Sequence, residues 1–276
     1  MSLHITGITR FSFVHPMMIN GFAATRGKSL SKAQSIIWEK SRMEARLSLL
    51  RHFAIPTYAS IEKQHENSSS VFVISESMPG YYKELLKDAI APLKNACVKE
   101  ISDDQDVWSE MTTTVADLAG GNRLFCFRLD DDDALFSDFA HVVAKFADEN
   151  EDETFLVCDE GFQFGRYGPD AYRVYRRVYP RNAQGLGTVS SRKSYYTPFR
   201  GNHTKIEERF RVVHYKDKPA WLRSTHHFND SDSGQRVINR SDLTLDEACS
   251  ILEPHFDIPV RDALLNLPIR SMQPER

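Results

Sequence analysis

Apolar and polar positions alternate along this chain in blocks that change period. His4 to Val14 carries Ile5, Ile8, Phe11 and Phe13, the apolar positions of a first strand candidate. From Met18 to Lys32, Gly21, Gly27 and polar residues predict a loop. Ser31 is placed to cap a helix beginning near Lys32. Ile36, Ile37, Met43, Leu47, Leu50 and Phe53 then recur at helical spacing, and Pro56 is expected to end that long helix. Val71 to Ile74 is a short apolar run after the turn-forming Asn67-Ser-Ser-Ser70, and reads as a buried strand. Beyond the break at Pro79 and Gly80, Tyr81 to Ile90 is helical in pattern, as is Val115 to Leu118.

Leu124 to Leu129 is the next strand, and Ala134 to Ala147 resumes at helical period. After the acidic turn Asp148 to Glu153, Phe155 to Cys158 is again strand-like. Strands alternating with helices predict an α/β fold with a mainly parallel central sheet flanked by helices. From Phe162 to Tyr196 the pattern turns to alternating aromatics and arginines (Tyr172, Arg173, Val174, Tyr175, Arg176), which predicts a mixed, antiparallel C-terminal part. The stretch from about Arg181 to Ser194 carries Gly185, Gly187 and small polar residues, and predicts a mobile segment able to close over a ligand. Thr244-Leu-Asp-Glu247 is a capping box opening a last helix, and Ser271 to Arg276 reads as a frayed tail.

Composition narrows the class. With 276 residues, 41% hydrophobic and 26% charged, the chain is long enough for a substantial core. Its formal net charge of -3 gives no bulk attraction to nucleic acid or to an anionic membrane. No apolar run approaches the roughly 20 residues that span a bilayer. The four cysteines, Cys97, Cys126, Cys158 and Cys249, form no CxxC pair, and two lie inside apolar runs. That pattern predicts free thiols of a reducing compartment, hence a cytoplasmic location, with peripheral contact at the inner face of the membrane left open.

The sharpest chemistry lies at Asp130 to Asp133, four carboxylates that follow directly on the apolar strand Leu124 to Leu129. Like charges at the end of a buried strand repel unless a cation sits among them, and a hard divalent ion, Mn²⁺ or Mg²⁺, is the natural partner of carboxylate oxygens. Ligands of open α/β sheets bind outside the carboxyl ends of the strands, where this cluster falls. An acidic helix start would account for one or two aspartates but not four. An EF-hand is excluded because no glycine or closing glutamate follows at the required places. A magnesium-dependent phosphohydrolase with Asp130 as nucleophile, and a non-catalytic metal- or glycan-binding module, remain alternatives.

Further motifs come in a particular order: Arg42, Arg46 and Phe53 on one helix, then Pro56 and Gln64. Val71-Phe-Val-Ile-Ser75 is followed by Met78-Pro79. After these come Arg128-Leu-Asp-Asp-Asp-Asp-Ala-Leu135, and Trp221-Leu222 with His226 and Asn229. This order resembles the rhamnosyltransferase family of bacterial glycosyltransferases, over about Arg10 to Asn229. The resemblance implies a GT-A-like, Rossmann-like fold forming one glycosyltransferase domain. Within it, residues 1-160 are the nucleotide-sugar-binding half, 161-240 the acceptor and metal-completing half, and 241-276 a C-terminal helix and tail. It further implies transfer of a sugar, rhamnose by the family's name, from a nucleoside diphosphate donor to a glycan or lipid-linked acceptor in polysaccharide biosynthesis.

On the same ground Asp130 and Asp132 become the outer pair of an Asp-x-Asp metal motif, with Asp133 beside them and His226 as a further metal ligand. Arg10, Glu76, Arg128, Asp131 and Asn229 become candidates for contact with the donor; for Arg10, Glu76 and Arg128 a plain surface charge is the favoured alternative. A general base is not legible, and Asp159, Glu160, His203, Glu207 and Glu208 are all candidates.

Overall fold

The computed structural model describes residues 2–21, 24–180, 182–229 and 242–270. Among them, eleven strands form two sheets. The first strand, β1 (Leu3–Arg10), is followed by helices α1 (Leu30–Ile37), α2 (Lys40–His52) and α3 (Ala54–Gln64). Strand β2 (Ser68–Ser75), helix α4 (Gly80–Ile90), strand β3 (Ala96–Ile101), helix α5 (Val107–Ala119) and strand β4 (Arg123–Arg128) complete a regular alternation. Then come β5 (Asp133–Leu135), α6 (Phe139–Glu149), β6 (Phe155–Cys158), β7 (Glu160–Gly168), β8 (Ala171–Val178) and β9 (Gly187–Ser190). Strands β10 (Val212–Tyr215) and β11 (Trp221–Thr225) and helices α7 (Leu245–Leu252) and α8 (Val260–Leu265) follow.

The large sheet has the order β10-β6-β9-β4-β1-β2-β3. Every neighbouring pair is parallel except those made by β9, which runs antiparallel to both β4 and β6. The expected mainly parallel sheet flanked by helices is therefore what the chain forms, and the small sheet β5-β11-β7-β8 is the mixed part. The stretches 71–74, 124–129 and 155–158 share the large sheet, but they are not direct neighbours: β1 separates the first two and β9 the last two. Strands β9 and β10, from the expected second half of the chain, return to the large sheet.

Several local expectations are corrected. The cap of α1 is Ser29, whose side chain accepts from the Lys32 amide, rather than Ser31. The single long helix is three. Glu39 interrupts it by turning its carboxylate onto the amides of Ser41 and Arg42, at 3.1 and 3.0 Å, and so starts α2 afresh. Pro56 lies in the first turn of α3, where its missing N–H has no intrahelical acceptor to lose, so it does not end a helix. Ala134 and Leu135 are strand, not helix, because Leu135 pairs with Trp221 across β5 and β11. Helix α6 begins only at Phe139.

The segment expected to be mobile is a central strand with a buried approach. Leu186, Val189, Asn182 and Gln184 are all buried, and β9 is paired on both sides. Gly185 makes the turn into it at φ +70°, a conformation that L side chains rarely adopt. Small polar residues there fit between neighbouring strands; they do not loosen the chain. Arg181 and the tail Ser271 to Arg276 lie outside the described residues.

The core between sheet and helices is aromatic. Phe127 meets Phe139 at 4.9 Å between ring centroids, and Tyr58 meets Phe72 edge-on at 5.6 Å. Trp221 is buried, its Nε1 donating to the Cys158 carbonyl at 3.0 Å. Gly161 lies against that indole, so close that a Cβ there would fall 2.1 Å from Trp221 Cδ2.

Candidate functional site

Parallel pairing of β1 with β4 brings Arg10 and Arg128, the last residues of the two strands, to the same carboxyl edge of the sheet. The chain then leaves the sheet: Leu129 donates to the Ile8 carbonyl at 3.1 Å, and Thr9 Oγ1 bonds both Tyr58 and the Leu129 carbonyl. A turn closed by Asp133 N to Asp130 O, at 3.2 Å, spreads the four aspartates in different directions before β5 begins.

Asp130 is partly exposed, and Arg128 Nη2 donates to it at 3.1 Å. Asp131 is fully buried and gripped through both oxygens by Arg46 of α2, one contact being Nε to Oδ2 at 2.8 Å. Asp132 Oδ2 accepts from Arg46 Nη1 and Asn229 Nδ2, and lies against His226 Nε2, each at 3.0 Å. Asp133 accepts from Gln184 Nε2 at 2.6 Å and from the Ser224 amide at 3.3 Å.

Charge states follow from these partners. Burial opposes ionisation of Asp130, but Arg128 and Arg10 outweigh it and hold its carboxyl below the usual range. Burial likewise opposes the charge of Asp132, and Arg46 and His226 overcome it, so that this carboxyl is held well below its ordinary value. Burial raises Asp131 to about 7 despite Arg46, with Asp132 and Asp130 adding to the rise. Asp133, buried beside Asp132 and Asp130, is raised well above the usual range.

These aspartates border a cleft of about 400 Å³, the size that small-molecule sites occupy. Among the described residues lining it are five arginines (Arg10, Arg42, Arg46, Arg128 and Arg223), three of the aspartates (Asp130, Asp132 and Asp133), and His203, Tyr179, Gln184 and Asn229. His203, first residue of a 3₁₀ turn capped by Asn202, is pushed down to about 4 by burial and then by Arg128, and is neutral at physiological pH.

The structure thus brings together Arg10, Arg128, Asp130, Asp132, Asp133, His203 and Asn229. Asp131 and His226 stand behind the cleft wall, the latter buried against Asp132. Glu76 is exposed just past β2 and does not line the cleft. Of the base candidates, Asp159 is buried with His214 at 2.5 Å, Glu160 pairs with Arg176, and Glu207 and Glu208 are exposed; only His203 lines the cleft. Arg42, Arg46 and Arg223 had no role from sequence, although Arg42 and Arg46 stood in the motif order.

The cations beside the aspartates are guanidinium groups. Asp132 Oδ2 is already shared by three nitrogens, Asp131 is held by Arg46 behind the cleft wall, and Asp133 is held by Gln184 and the Ser224 amide. Among the described residues, no group of three or more His, Cys, Asp or Glu side chains is arranged to hold a metal ion. The donor set in this arrangement does not fit a resident divalent ion.

Solved structures similar to the chain include one described as a "Putative Glucose-1-Phosphate Thymidylyltransferase from Bacillus anthracis", at 11% identity and TM-score 0.39, covering 80% of this chain and 89% of that one. S. aureus TarS 1-349 in complex with UDP-GlcNAc is similar at 11% identity and TM-score 0.40, over 83% of this chain and 60% of that one. One described as a "putative nucleotide-diphospho-sugar transferase from Desulfovibrio desulfuricans G20" gives 11% identity and TM-score 0.33, over 84% of this chain and 83% of that one. A search of curated proteins finds no match. The sequence profile of one family, described as "Putative rhamnosyl transferase", matches residues 4–237. With most of its length inside that match, the chain belongs to this rhamnosyl transferase family of glycosyltransferases.

Proposed function

We propose that the chain transfers a sugar from a nucleoside diphosphate donor to a hydroxyl of a glycan or lipid-linked acceptor, with the donor lying in the cleft between Arg10, Arg128 and Asp130. The observation that carries this reading is the position of the cleft. It opens at the carboxyl edge of β1 and β4, where an open α/β sheet takes its ligands, and its wall is rich in guanidinium groups suited to phosphate. The family's description makes rhamnose the first sugar to test.

In the proposed reaction the bond between the anomeric carbon and the diphosphate oxygen breaks, and the acceptor oxygen forms the new bond to that carbon. Negative charge grows on the departing diphosphate, and guanidinium groups fixed at the cleft wall stabilise it more in the transition state than in the ground state. The acceptor hydroxyl loses its proton to a base. His203 is neutral and lines the cleft, and so is the best placed of the sequence candidates. No helix among the described residues is long and apolar enough to cross a membrane. Cys126 and Cys158 are free, buried thiols, in keeping with a proposed cytoplasmic site of action.

A panel of nucleotide sugars, including rhamnose carried on thymidine diphosphate, tests the proposal. The expected result is release of nucleoside diphosphate from one donor, faster when an acceptor glycan is present. No diphosphate from any donor, or release of inorganic phosphate instead, contradicts it.

A further inference from the structure

We infer that the donor's diphosphate is held by a pair of guanidinium groups, those of Arg10 and Arg128, seated on the ring of Phe199, and that this binding needs no divalent ion. The inference rests on the proposed transferase reading and adds to it how the charge of the donor is met.

The two arginines end adjacent parallel strands, Arg128 opposite Ile8 and Arg10 two residues further along β1, so both side chains leave the same carboxyl edge. Their guanidinium carbons lie over one aromatic ring, 4.8 Å from the Phe199 centroid for Arg10 and 5.2 Å for Arg128. A ring face attracts such cations and limits how far they can turn. Two like charges held near one ring repel, and the nearby carboxylate that both sense is Asp130. A diphosphate carries the complementary charge, and planar guanidinium forks match its oxygens in a bidentate manner that a point charge does not. Nε of Arg128 is buried with no hydrogen-bond partner among the described residues.

The rest of the cleft agrees. Five of its described lining residues are arginines and three are aspartates. His203, on the same wall, is lowered first by burial and then by Arg128, with Asp130 opposing and Arg223 and Arg10 adding smaller contributions. Arg46 lies among the aspartates, where the sequence suggested a metal.

Calorimetric titration of UDP, GDP and thymidine diphosphate, each in EDTA and again in Mn²⁺, tests this. One diphosphate should bind in EDTA, with a Kd within about threefold of that in Mn²⁺. Arg128→Gln should weaken it at least about tenfold, the loss of one charge-assisted contact. Phe199→Leu should weaken it about threefold, with a circular dichroism spectrum like that of wild type. Arg176→Gln, on β8 and outside the cleft lining, should bind as wild type does. If Arg128→Gln fails to fold, Arg10→Lys, which keeps the charge and loses the fork, should show the same loss.

Binding that appears only with Mn²⁺ overturns this inference and leaves the transferase reading standing. Binding in EDTA that is indifferent to Arg128→Gln, Arg10→Lys and Phe199→Leu also overturns it. Failure of all three nucleotides under both conditions overturns the inference and the reading together.

Discussion

Arg46 Nη1 donates to Asp132 Oδ2 across 3.0 Å, and this contact ties helix α2 to the loop that leaves β4. The same guanidinium holds both oxygens of Asp131, so one side chain balances two buried carboxylates. Removing one partner of a buried ion pair costs about 3–5 kcal/mol, because the remaining charge is left without compensation. Arg46→Met should therefore lower the free energy of unfolding by that order, and adding Asp131→Leu should restore part of the loss. Urea unfolding of the single and double variants measures both. A double variant no more stable than the single would show that Asp131 is not what Arg46 supports.

Asp130 and Asp132 should separate stability from chemistry. Asp130 is partly exposed with one arginine donating to it, whereas Asp132 joins Arg46, His226 and Asn229. Asp130→Asn is expected to cost less than about 1 kcal/mol of stability. It should still reduce sugar transfer about tenfold or more, since Arg128 loses its orienting partner. Asp132→Asn should cost about 2–3 kcal/mol by weakening several buried contacts at once. The opposite order of stabilities would mean that the two roles are exchanged.

Close packing at Gly161 gives a purely structural prediction. A Cβ there would meet Trp221 Cδ2 at 2.1 Å and the Trp221 carbonyl oxygen at 2.2 Å, and neither can move without parting β7 from β11. Gly161→Ala should destabilise by about 3 kcal/mol or prevent folding. A Cβ at Gly80, which opens α4, meets nothing within 4 Å, and Gly80→Ala should stabilise by up to about 1 kcal/mol. Thermal unfolding of the two variants should move in opposite directions.

His203 sets a pH dependence. Its folded pKa is pushed down to about 4 from an ordinary value of 6.5, by burial and then by Arg128. Between those values the unfolded chain binds the proton and the folded chain does not, so this residue's contribution to stability is present above pH 6.5 and is lost as the pH falls toward 4. His203→Asn should flatten the decline of Tm over that window. A bound diphosphate brings negative charge and should raise the imidazole pKa. Histidine NMR titration with and without nucleotide reads this directly; a value near 6.5 in the free protein would contradict it.

Strand β2, helix α4 and strand β4 were legible because each carries its own apolar period or its own breaker, whereas β3 (Ala96–Ile101), which mixes Lys99 and Glu100 with half-buried apolar residues, was not, and only the last part of α5 was. The aspartate cluster was legible as a site because four like charges follow a buried strand. What escaped is what depends on distant pairing. Leu135 looks helical until Trp221 is seen beside it. Gly185 to Ser190 looks like a loop until β4 and β6 close on it. The same limit applied to charge. Arg46 reads as one more cation on a charged helix, and its contact with Asp131 spans 85 positions. Phe199, Arg10 and Arg128 come from three separated segments, so no spacing announces their stack.

The most direct test of the central claim is a structure of the chain with a nucleotide sugar bound. The account predicts that the diphosphate lies in the cleft at the carboxyl edge of β1 and β4, within hydrogen-bonding distance of Arg10 and Arg128, with the anomeric carbon on the side of His203. A donor bound elsewhere, or one seated in the cleft with its diphosphate away from both arginines, would contradict it.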